Sequence, residues 1–68
     1  MKYGVELELE EDGRWIAEVP ELPGVMVYDH SRDAALRAVE ALALRVLADR
    51  IEHGEFPAGS FAVSFEAA

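Results

Sequence analysis

Polar and apolar residues alternate along two stretches near the start of the chain. In residues 3–9, Tyr3, Val5, Leu7 and Leu9 fall on one side and Glu6 and Glu8 on the other, with Glu10 continuing the second side. In residues 14–19, Trp15, Ala17 and Val19 share a side. A period of two is the mark of a half-buried β-strand. Between the two runs lies Glu11-Asp12-Gly13. A two-residue Asp-Gly turn would set Leu9 against Ile16 and Leu7 against Glu18, mixing the faces. A three-residue loop sets Leu9 against Trp15, Leu7 against Ala17 and Val5 against Val19. A one-residue slip moves every side chain to the other face, so the hydrophobic pattern selects the three-residue loop, with Gly13 at a left-handed bulge. The same register opposes Glu10 to Arg14, which is favourable, and Glu6 to Glu18, which is not.

Val19-Pro20-Glu21-Leu22-Pro23-Gly24-Val25 follows. Proline cannot donate a ladder hydrogen bond and Pro-Gly is a turn signal, so this segment ends one strand and turns the chain toward a short strand over residues 25–28. Asp29-His30-Ser31 then leads into a helix over residues 32–53. Ser31 is the N-cap, Asp33 favours the positive end of the helix dipole, and Gly54 supplies the C′ position. Pro57 marks a loop. A last strand is expected over residues 60–66, with Phe61, Val63 and Phe65 on one face. The predicted fold is α+β: a single β-β-β-α-β domain over residues 1–68, one helix packed on a mixed sheet.

Leu36, Val39, Ala43, Val46 and Leu47 form a stripe at helical spacing, expected to cover the sheet against Leu7, Trp15 and the last strand. Asp33, Arg37 and Glu40 mark the opposite side, yet Ala41, Leu44, Ala48 and Ile51 continue along it. Isolated exposed apolar residues are ordinary. Four at helical spacing predict a subunit contact.

Size strengthens that expectation. A 68-residue chain has one small core, worth about 3–5 kcal/mol without a staple. It has no cysteine and only His30 and His53, so neither a disulfide nor a Cys- or His-based structural metal site is available. Oligomerisation remains, as a homodimer or homotetramer. The balance of 6 basic and 14 acidic residues, net −8, argues against direct nucleic-acid binding and suits a basic protein partner. No apolar run approaches a membrane span and no signal-peptide pattern opens the chain, so a cytoplasmic location is expected.

Candidate chemistry is sparse. Asp29-His30-Ser31 contains the triad residue types, but consecutive side chains diverge and triads are defined by geometry; a capped helix start is the better reading. Glu6, Glu8, Glu10 and Glu18 could meet a divalent cation, yet an exposed acidic strand face is the simpler account. His53 in the last helical turn suits the dipole. No catalytic residue, metal ligand or cofactor site is predicted, and the protein is not expected to be an enzyme.

Taken in order, Met1-Lys2-Tyr3, the Asp12-Gly13 turn, Trp15-Ile16-Ala17-Glu18-Val19, Pro20-Glu21-Leu22-Pro23-Gly24 and the helix entry from Ser31 to Leu36 resemble the HicB-like antitoxin domain along essentially the whole chain. The Pro-Glu-Leu-Pro-Gly element after the aromatic strand is the most specific part. The resemblance implies a truncated ribonuclease-H-like fold; many members carry a C-terminal DNA-binding segment, and this chain departs from them in being expected as a short form without one. It also implies a function: neutralising a small basic HicA-like toxin that cleaves messenger RNA, by covering its active surface. Glu6, Glu8, Glu18 and Glu21 are then the expected partner contacts, and Ala41, Leu44, Ala48 and Ile51 the expected oligomer interface. The alternative is a stand-alone homo-oligomeric regulatory or ligand-sensing domain with no toxin partner.

Overall fold

A computed structural model describes residues 1–59 and 61–67. The elements run β1 (Lys2–Leu9), β2 (Trp15–Glu18), β3 (Met26–Asp29), α1 (Arg32–Glu52) and β4 (Ser64–Ala67). The strands form one four-stranded mixed sheet in the order β3-β2-β1-β4. β1 pairs antiparallel with β2 and parallel with β4, and β2 pairs antiparallel with β3. The β-β-β-α-β order and the single helix on a mixed sheet are as expected.

The hairpin register follows the hydrophobic pattern. Leu9 faces Trp15, Leu7 faces Ala17 and Glu6 faces Glu18. The Glu10 amide donates to the Arg14 carbonyl at 2.7 Å and the Gly13 amide to the Glu10 carbonyl at 3.0 Å. Gly13 has φ +90°, the left-handed position that a three-residue loop requires. Two details differ from expectation. Arg14 turns away from Glu10 and pairs with Asp12, Nε to Oδ2 at 2.7 Å. Leu9 shares the core face but is 56% exposed, because the helix enters beside β3, two strands away, and leaves this end of β1 uncovered.

The proline-rich connection is two successive β-turns. The Leu22 amide donates to the Val19 carbonyl, and the Val25 amide to the Leu22 carbonyl, both at 3.0 Å. Pro20 and Pro23 each occupy the second position of their turn, where a fixed φ is an advantage, and Gly24 at φ +85° takes the third position of the second turn. A bond from the Val19 amide to the Val25 carbonyl, 3.0 Å, ties the ends together. This geometry carries Leu22 inward, and Val19, Leu22 and Val25 are all buried. The connection therefore contributes to the core as well as turning the chain. The third strand begins one residue later than expected, at Met26, because Val25 belongs to this closure.

The helix is capped at both ends. Ser31 Oγ accepts from the Ala34 amide at 3.1 Å. At the other end the Gly54 amide donates to Ile51 and the Glu55 amide to Arg50, at 3.0 and 2.9 Å, with Gly54 at φ +75°: the pair of bonds that closes a Schellman end. Ala35, Val39, Ala43 and Leu47 are buried along one stripe, while Leu36 and Val46 pack beside them half-buried. Ala17, Ala35 and Ala43 are each fully buried; their small size lets the helix lie close to the sheet. Among the described residues no polar side chain is buried. Helix α1 lies chiefly over β3 and β2, with β1 next.

The last strand is shorter than expected. β4 begins at Ser64; Ser60, the expected start, lies outside the described residues. Phe61 and Val63 precede the strand yet still pack against the core with Phe65. Phe61 meets Phe56 with ring centroids 5.4 Å apart, and Phe65 meets Tyr3 at 6.1 Å. The Met1 amino group donates to the Ala62 carbonyl, and the Ser64 amide to the Met1 carbonyl at 2.9 Å.

Candidate functional site: the outer face of the sheet

With the helix on one side of the sheet, strand alternation sends the other set of side chains to the opposite side. Two cross-strand rows result. Glu8 stands beside Ile16, which stands beside Tyr28; Glu6 stands beside Glu18, which stands beside Met26. Carboxylates thus lie toward β1 and apolar side chains toward β3. Met26 and Tyr28 are each 45% exposed, and Ile16 is half-buried between its neighbours.

This surface is grooved. One groove of about 320 Å³ is lined by Glu6, Leu7, Glu8, Glu10, Ile16 and Glu18. A second, of about 520 Å³, continues along the hairpin past Glu8, Glu10, Asp12, Arg14 and Tyr28. Glu8 and Glu10 border both, so the two form one acidic trough with an apolar side.

The charges in the trough are unbalanced. Among the described residues, ion pairs join Lys2 to Glu66, Arg14 to Asp12, and each histidine to a neighbouring aspartate. None reaches Glu6, Glu8, Glu10 or Glu18. Among the described residues that line the trough, Arg14 is the one cation, and it is doubly occupied. It bonds Asp12, whose carboxyl is held below its ordinary value by the Arg14 amide and then by the guanidinium, and its guanidinium carbon lies 4.5 Å from the Tyr28 ring centroid.

Three of the four expected partner contacts, Glu6, Glu8 and Glu18, come together here. Glu21 does not: it is exposed at the paired turns and lines neither groove. Sequence reasoning missed Ile16, Met26 and Tyr28. Their signal was present in the alternation, since a register placing Ala17 beside Val27 puts Ile16 beside Tyr28 on the reverse face.

The other candidates are structural. Ser31 Oγ serves the helix cap. The His30 amide and Nδ1 both contact Asp29 Oδ1, at 2.8 and 2.7 Å, and the amide first, then the ring, draws the Asp29 carboxyl below its ordinary value. Among the described residues no group of three acidic or histidine side chains is placed to hold a metal ion. His53 Nδ1 bonds the Asp49 carbonyl at 2.7 Å. That carbonyl, followed by the Asp49 carboxylate, raises the His53 pKa. On the helix, Leu44 and Ile51 are 46% and 43% exposed, Ala48 is exposed and Ala41 half-buried. No described helix is long and apolar enough to cross a membrane. Set against protein-family models, curated proteins and solved structures, the chain finds no match.

Proposed function

We propose that the outer sheet face is a docking surface for a basic protein, and that the domain works as a HicB-like antitoxin module, neutralising a small basic HicA-like toxin by covering its active surface. The supporting observation is the trough itself: four glutamates without counter-ions beside Ile16, Met26 and Tyr28. Unpaired acidic side chains steer a basic partner and speed encounter. An adjoining apolar and aromatic patch supplies the desolvated centre that binding energy needs. Cover rather than catalysis is the mode of action, and Glu6, Glu8 and Glu18 are its charged contacts, with Glu21 at the margin. The truncated ribonuclease-H-like fold and a cytoplasmic setting belong to the same proposal.

Co-expression with a small basic protein encoded beside this one tests it. A complex that forms at low salt, weakens with added salt and is lost on Glu8→Lys or Ile16→Asp supports the reading. Absence of a complex at low salt, or of such a neighbour, defeats it.

The alternative, a homo-oligomeric regulatory or ligand-sensing domain without a toxin, is favoured by a separate observation, the exposed Leu44 and Ile51. It predicts a defined oligomer of the isolated protein and a complete biological role without any basic partner.

A further inference from the structure

Tyr28 stands where the hairpin loop meets the outer face of the sheet. Its cross-strand neighbour is Ile16, and Arg14, two residues before Ile16, falls on the same side and reaches the ring diagonally. The guanidinium carbon of Arg14 lies 4.5 Å from the ring centroid, while its Nε donates to Asp12 Oδ2 at 2.7 Å. Asp12 Oδ1 is engaged separately, accepting from the Arg14 amide at 3.1 Å. One carboxylate thus fixes both the backbone and the side chain of Arg14, and aims the guanidinium at the ring. Arg14, Asp12 and Tyr28 are all exposed. An exposed ion pair and an exposed cation–π contact each contribute little to folding, so the arrangement can be exchanged for another at small cost.

The surroundings of the ring suit a guanidinium. The groove of about 520 Å³ runs from Tyr28 past Glu8, Glu10, Glu11 and Asp12. A planar guanidinium can lie on an aromatic face and still offer its edge N–H groups to carboxylates. An ammonium is a compact, strongly hydrated point charge without that geometry. Arg14 displays the double engagement, with Tyr28 on its face and Asp12 at its edge. Held by Asp12, it makes no ion pair with Glu8 or Glu10 among the described residues. A guanidinium arriving from outside would gain the ring and these two carboxylates together.

We propose that Tyr28, Glu8 and Glu10 form a seat for an arginine side chain of the basic partner, and that Arg14 occupies the ring in the free protein and yields it on binding. This rests on the reading of the trough as a docking surface for a basic protein. It adds a preference, arginine over lysine, and a latch, the Asp12–Arg14 pair, that a partner must open.

Titration calorimetry at low salt, with oligo-arginine and oligo-lysine peptides of equal length, tests both. The wild type should bind the arginine peptide about two- to fivefold more tightly than the lysine peptide. Asp12→Asn separates the latch from simple charge attraction. Asn keeps an oxygen for the Arg14 amide but turns an NH₂ group toward Nε, which cannot accept from it. The variant therefore releases Arg14 while removing one negative charge from the trough. The latch predicts that the arginine peptide binds about two- to fivefold more tightly than to the wild type; charge alone predicts weaker binding. Arg14→Lys, which leaves the net charge unchanged, should also tighten binding, and neither gain should appear in a Tyr28→Leu background. In the wild type the Arg14 Nε–H resonance should lose its ring-current shift as the arginine peptide is added. Equal affinity for the two peptides, no tightening by Asp12→Asn, or a gain that persists with Tyr28→Leu overturns the seat and leaves the docking surface standing. Failure of the wild type and both variants to bind either peptide removes the seat and the docking surface together.

Discussion

Glu6 on β1 and Glu18 on β2 stand directly opposite each other across the antiparallel ladder, with no ion pair to either among the described residues. Like charges in that relation oppose the pairing that holds the hairpin together. A domain this small has little stability to spare, so the arrangement costs where cost matters. Glu18→Lys, which turns repulsion into attraction, is expected to raise stability by about 0.5 kcal/mol, read from urea denaturation. The same change should weaken binding of an oligo-arginine peptide to the trough. Stability unchanged or lowered would show that the opposition carries no cost.

Leu22 is the residue by which the proline-rich connection enters the core; it is 2% exposed. Leu22→Ala should cost about 2–4 kcal/mol, most of what a core of this size supplies. A substantial unfolded population at room temperature, seen by circular dichroism and nuclear magnetic resonance, is the expected outcome. Glu21→Ala, one residue earlier and exposed, should leave the unfolding midpoint nearly unchanged.

Gly24 separates backbone strain from crowding. A Cβ there would meet nothing within 4 Å, yet φ is +85°. Gly24→Ala should therefore destabilise by about 1 kcal/mol through the backbone alone. Gly24→Asn should recover part of the loss, because Asn tolerates the left-handed region better. Thermal midpoints of the two variants make the comparison.

His53 links the end of the helix to pH. Its pKa is raised above 6.5, first by the Asp49 carbonyl and then by the Asp49 carboxylate. A raised value means that the folded state holds the proton more tightly. The contribution is complete below the unfolded value and disappears as pH climbs through the folded one. The His53 ring resonance should titrate above 6.5, and His53→Gln should flatten the fall of the thermal midpoint as pH rises past that value. Equal titration in an Asp49→Asn variant would remove the carboxylate from the account and leave the carbonyl.

The sequence was most readable where a period met a punctuation mark. The alternation around Leu7 and Ala17 fixed the hairpin register, and Ser31 and Gly54 bounded the helix, because caps and loop glycines act locally. The burial of Leu22 was not readable, since it depends on two successive turns bringing one side chain under the helix. The exposure of Leu9 was hidden for a related reason: alternation assigns a face but not how far a helix covers it. The site was half legible. Glu6, Glu8 and Glu18 follow from the strand pattern alone. Ile16, Met26 and Tyr28 become neighbours only once β3 is laid against β2, a pairing fixed by the length of the connection between them.

The order of the strands also bears on how the chain reaches its fold during synthesis. β1 lies inside the sheet, but its two neighbours arrive at very different times. β2 follows at once through a tight hairpin. β4, which closes the other flank through the pairing of Lys2 with Ser64 and Val5 with Ala67, is the last of the elements to be made. Until then one edge of β1 offers unpaired amides and carbonyls to any passing strand. The nascent domain is thus most open to mispairing while its first strand waits for β4, whose emergence completes the sheet.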